Sequence, residues 1–154
     1  MGNQRLKQIA FTMIEIVFVI VIIAILSSIA IKKLYFSVND ANILKLKTQV
    51  ALIQDAINST KENNILKGLS SSYISQLDNA PIDTPDCKLF DNILDTPIIS
   101  TSSSSAKAGY WSKSDNFTYK AWINNSNNIE FNYDNNSGVF ICNIENKYCK
   151  QLIQ

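Results

Sequence analysis

Histidine is absent from the 154-residue chain, which removes imidazole as a general base, as a metal ligand and as a pH switch near neutrality. Ser-His-Asp and Cys-His nucleophile pairs are therefore excluded. Glycine and proline are scarce, at four and three residues, and neither occurs between Phe11 and Thr60. Nothing in that stretch interrupts a helix. Charge of either sign is also in short supply. With 14 basic and 13 acidic residues interspersed and a net charge of +1, the chain has no global field to draw nucleic acid or a charged surface. Cys87 and the many serines stand beside no base of the usual type, and no Gly-x-Ser-x-Gly occurs, so the chain reads as no enzyme, with no cofactor. Length and composition allow one modest globular domain plus an apolar segment.

That segment is what the chain has in excess. From Phe11 to Ile31 the sequence FTMIEIVFVIVIIAILSSIAI carries a single charge, Glu15. As a helix it spans about 30 Å, one bilayer core. Arg5 and Lys7 precede it and Lys32 and Lys33 follow it, so basic flanks alone do not orient it. Three readings predict different mature proteins. A secretory signal cut after Ser28-Ile29-Ala30 leaves a soluble domain starting at Ile31. A plain signal anchor stays uncut, but leaves unexplained a carboxylate that costs roughly 2.5 to 3.5 kcal/mol in the bilayer and so asks for a partner.

The third reading starts from the residues around that acid. Ala10-Phe11-Thr12-Met13-Ile14-Glu15, after a short basic leader and before an aliphatic helix, resembles the class III signal of type IV pilins and type II secretion pseudopilins. The resemblance is clear over residues 5–60 and architectural beyond them. It implies that a prepilin peptidase cuts between Ala10 and Phe11 on the cytoplasmic side and methylates the new amino terminus at Phe11. It further implies that Glu15 pairs with the Phe11 amine of a neighbouring subunit, setting the assembly register. In a low-dielectric bundle either charge alone is costly, and pairing offsets much of that cost. Three positions depart from the family pattern. Ala10 stands where Gly is usual before the cut, Ala24 where many pilins have Gly, and Lys32 where many have Pro. The two helix-weakening residues are thus missing, which leans toward a pseudopilin or minor pilin.

Past the membrane segment, Leu46, Val50, Ile53 and Ile57 recur at helical spacing, an amphipathic continuation of the same helix. Asn63, Asn64 and Gly68 end the helix, residues 69–108 turn irregular with prolines and serine runs, and 61–108 reads as a surface connector. Asp83, Asp86, Asp91 and Asp95 lie there at a spacing that matches no EF-hand loop. Residues 109–154 alternate as strands. Phe117, Tyr119, Ala121 and Ile123 share a first face and Ile129, Phe131 and Tyr133 a second. Residues 124–128 and 134–138 turn, and 139–144 form a third strand. The expected fold is α+β and pilin-like, a long N-terminal helix packed on a small antiparallel sheet. Its parts are a leader (1–10), a transmembrane half (11–31), an amphipathic half (32–60) and a periplasmic head (61–154).

A two-residue turn at Glu145-Asn146 places Cys142 opposite Cys149 across a hairpin, and a disulfide is expected there. Cys87 is left over, and three cysteines permit three single bridges. Some pseudopilins bind calcium in this region, but Asp134-Asn135-Asn136-Ser137 offers one acid, and no metal is expected. Tyr110, Trp111, Tyr119 and Trp122 beside Lys107, Lys113 and Lys120 fit a half-buried sheet face better than a base-stacking platform, so no direct nucleic acid contact is expected.

The reading is a structural subunit of a periplasm-spanning pseudopilus or pilus-like fibre, serving type II secretion or DNA uptake in natural transformation. It is held in the bacterial inner membrane in a single pass with a periplasmic head. Its partners are prepilin peptidase, other pilin-like subunits and the inner-membrane assembly platform. The alternative is a membrane-tethered periplasmic binding module that does not polymerise.

Overall fold

The computed structural model describes residues 12–69 and 72–154, with residues 30–38 as backbone only. The chain divides into two units, Met1–Val38 and Asn39–Gln154. Helix α1 runs Met13–Leu66, as the absence of glycine and proline allows, and ends where Gly68 takes φ +68°, the left-handed conformation glycine adopts freely after a helix.

The second unit is α+β. After α1 come the short strands β1 (Lys88–Leu89) and β2 (Ile98–Ile99), then β3 (Tyr110–Asp115), β4 (Thr118–Trp122), β5 (Asn128–Asp134) and β6 (Val139–Cys142), and last the helix α2 (Lys147–Ile153). Strands β3 to β6 form a four-stranded antiparallel sheet in sequence order. Its register lines up Trp111 with Ala121, Tyr119 with Phe131 and Tyr133 with Phe140, so these side chains share one face. They join Leu46, Val50, Ile53 and Ile57 of α1 in one buried cluster. Spacings of four, three and four put those four residues in a single stripe of the helix.

Two side chains of α1 tie it to the two outer strands. Gln49 Oε1 accepts from the Trp111 indole at 3.0 Å. Gln54 donates to Gly138 O and accepts from Phe140 N, both at 2.9 Å, so one amide occupies the open edge of β6 as a neighbouring strand would. The edge of β3 is covered by backbone, with Thr101 N on Trp111 O and Asp83 N on Lys113 O. Backbone thus covers the β3 edge and a side chain engages the start of the β6 edge, as edge strands of stable domains are usually protected.

The sheet has a strand ahead of the three read from the sequence, because β3 (YWSKSD) buries Ser112 and Lys113 and so lacks polar-apolar alternation. Phe117 does not join the inner face; it sits in the β3–β4 turn and is exposed. The last strand stops at Cys142, and Cys149 lies on α2. Asn146 turns the chain there by capping α2, its side chain accepting from Tyr148 N at 2.9 Å, so no hairpin forms.

The segment 61–108 is not a surface connector. It is helical to Leu66, and beyond it Leu77, Leu89, Phe90 and Leu94 are buried. Phe90 adopts φ +62°, which costs a bulky residue about 1–2 kcal/mol. Its ring gains contacts with Tyr119 at 4.7 Å and with Trp111 and Phe140 at 5.9 Å, and burial of that size offsets the strain. The serine run is also structured. Ser100 is buried, donating to Thr84 O and accepting from Cys87 N.

Candidate functional site

Two places hold the groups that bear chemistry, the start of α1 and a polar centre inside the head. At the first, Thr12 precedes the helix and receives the Glu15 N–H on its carbonyl at 3.1 Å and its hydroxyl at 3.3 Å. A hydroxyl so placed caps the helix and fixes where its first turn begins. Glu15 is the acid of that turn, a position favoured by the helix dipole. Among the described residues Glu15 has no ion-pair partner. It stands in an apolar surround, with Ile14, Ile16 and Val19 exposed by 79%, 54% and 48%. From Met13 to Ile29 every large apolar side chain of the helix is exposed. Ala10 and Phe11, the expected cleavage and methylation positions, lie outside the described residues.

Among the described residues no helix is long and apolar enough to cross a membrane. The apolar side chains described run from Met13 to Ile29, short of the about 20 residues a span takes. The segment 11–31 read from the sequence extends past them at both ends.

At the second place Asp78 is fully buried. Its Oδ1 accepts from Lys113 Nζ at 2.8 Å and Ala80 N at 3.1 Å, and its Oδ2 from the Tyr119 hydroxyl at 2.9 Å and Phe90 N at 3.1 Å. Burial pushes the Tyr119 phenol far above its usual range, and the charge of Asp78 adds to the shift. A carboxylate holding four donors has no lone pair free for a substrate, and the cluster opens to no solvent. Its effect is mechanical, since it fastens the 77–90 segment to β3 and β4. Sequence reading placed no role on Asp78. The one local signal is Asp78-Asn79-Ala80, in which an aspartate accepts from the amide two residues on.

The remaining candidates lie apart from both places. Cys142 and Cys149 are joined, with Cα atoms 5.8 Å apart, and Cys87 is a free, half-buried thiol. Asp134 uses its oxygens within its own turn, accepting from Asn136 N at 2.9 Å and the Ser137 hydroxyl at 2.6 Å. The Ser137 bond is the main reason its carboxyl lies below the usual range. Among the described residues no three Cys, Asp or Glu side chains converge to hold a metal ion. Trp111, Tyr119 and Trp122 are buried and Lys113 is spent on Asp78, so these rings present no stacking platform. Tyr110 is exposed, with Lys45 over its ring at 4.2 Å. No protein-family model, curated protein or solved structure matches the chain.

Proposed function

We propose that the chain is a pilin-like structural subunit, cut between Ala10 and Phe11, methylated at Phe11, and polymerised through the first half of α1 into a fibre that crosses the periplasm. The observation that carries this reading is the first half of α1, a helix apolar on all sides with one carboxylate in its first turn. Such a surface is stable only in lipid or against other apolar helices, and its lone acid is stable there only beside a cation. The amine of a processed Phe11 on a neighbouring copy supplies that cation, which is why register and charge are set by one residue.

The head agrees with this role. It encloses its core and covers the β3 edge of its sheet with its own backbone, as a passive building block requires. A machine for secretion or for DNA uptake uses such a subunit alike. Replacing Glu15 by Val keeps the helix and removes the charge. The variant should be processed and held in the membrane yet make no fibres in cells that carry the assembly machinery. Normal fibres from Glu15→Val would favour a tethered binding module, for which that charge is idle.

A further inference from the structure

The head's second half of α1 is flanked by two grooves of unlike charge. Leu52, Ala56, Ser59 and Asn63, at helical spacing, line one groove of about 570 Å³ together with Asp91 and Asp95, and no basic residue lines it. Gln49, which reaches β3, lies on that same flank. The other groove, of about 440 Å³, is lined by Ile43, Leu44 and Lys47 of α1 and by Lys150 of α2, with Asp40 as its most N-terminal lining residue on α1. Its flank also carries Gln54, which reaches β6. The acidic groove therefore lies toward the β3 edge of the sheet and the lysine groove toward the β6 edge. Asp91, Asp95 and Lys150 are exposed and Lys47 is half-buried. Each groove also presents one exposed leucine of α1, Leu52 at 50% and Leu44 at 65%.

We propose that these two grooves are the halves of one head-to-head interface between copies of this chain, with Asp91 and Asp95 of one copy facing Lys47 and Lys150 of the next. The occupant is a second copy because the two flanks complement each other in charge and each supplies an apolar residue to cover. The contact is heterologous, joining different surfaces of the two copies. The acidic groove also sits farther along α1 than the lysine groove, by roughly 20 Å at 1.5 Å per residue, so neighbours are staggered along the helix. A staggered heterologous contact does not close into a ring and propagates as a helical fibre. The interface rests on the fibre reading above and adds to it a contact in the head, made with a neighbour other than the one whose Phe11 meets Glu15.

Charge reversal in the full chain tests it, read as fibre yield from cells that carry the assembly machinery, with the mature amino terminus checked in each case. The pair Asp91→Lys with Asp95→Lys, and the pair Lys47→Glu with Lys150→Glu, should each lower fibre yield about tenfold. All four together restore opposite charges across the contact and should return the yield to within about threefold of the unaltered chain. Circular dichroism of the extracted variants separates loss of contact from loss of fold. Reversals that leave fibre yield unchanged, or a fourfold variant that stays as poor as the pairs, overturn the interface and leave the fibre reading standing. Absence of fibres from the unaltered chain overturns both.

Discussion

Removing the Lys113 ammonium is the most direct perturbation of what holds the head together. Lys113 and Asp78 are 4% and 0% exposed and 2.8 Å apart. Lys113→Met keeps the length of the side chain and leaves a carboxylate in the core with no cation. Breaking a buried pair from one side costs about 3–5 kcal/mol, against about 5–15 kcal/mol for a whole domain. The melting temperature should fall by on the order of 10–25 °C. Lys120 pairs with Glu130 at 3.4 Å on the surface, at 27% and 56% exposure, and a pair of that kind contributes about 0–1 kcal/mol. Urea unfolding of the full chain in detergent, followed by circular dichroism, compares Lys113→Met with Lys120→Met. If both variants lose about the same stability, the claim that Asp78 is held as a buried charge is wrong.

Three further outcomes follow from other parts of the head. Gly138 sits at φ +71°, where a β-carbon would clash with the Tyr73 ring, so Gly138→Ala should cost at least about 2 kcal/mol in the same unfolding assay; a neutral effect would mean Tyr73 does not pack there. Gln54→Leu deprives Phe140 N and Gly138 O of their partners, costing about 1–3 kcal/mol, and should speed hydrogen exchange at the Phe140 amide well beyond that at Phe131, which lies inside the sheet. Stability should also fall in alkali. The Tyr119 phenol is held far above its usual range, and burial pushes Tyr133 up to about 12. The folded state therefore keeps protons that the unfolded chain releases above about pH 10, and each such group contributes a loss of about 1.4 kcal/mol per pH unit. The contribution of Tyr133 is complete below pH 10 and lost as the pH rises through 12. A stability profile flat from pH 8 to 12 contradicts this.

What local pattern expresses is readable in this chain, and what depends on distant partners is not. The stripe Leu46, Val50, Ile53, Ile57 and the alternation through β4 and β5 come from spacing alone, and these residues lie in the core. Strand β3 hides because Lys113 points inward, which only an acid 35 residues earlier makes tolerable. The segment around Phe90 hides for a similar reason. Its backbone is irregular, but Asp78 supplies acceptors to two of its amides, at Ala80 and Phe90, and that service is invisible in hydropathy. α2 is short enough that Glu145-Asn146 looks like a hairpin turn until the Asn146 cap is seen. At the candidate assembly site, Glu15 is conspicuous as the one charge in an apolar run, whereas the Thr12 cap is carried by the spacing Thr-x-x-Glu.

The central claim is that Phe11 becomes the first residue and Glu15 its partner across copies. Intact mass with amino-terminal sequencing of the chain extracted from membranes tests it most directly. The account predicts a start at methylated Phe11. A start at Met1 or at Ile31 would contradict it, the first leaving a signal-anchored protein and the second a secreted domain without the helix on which assembly depends.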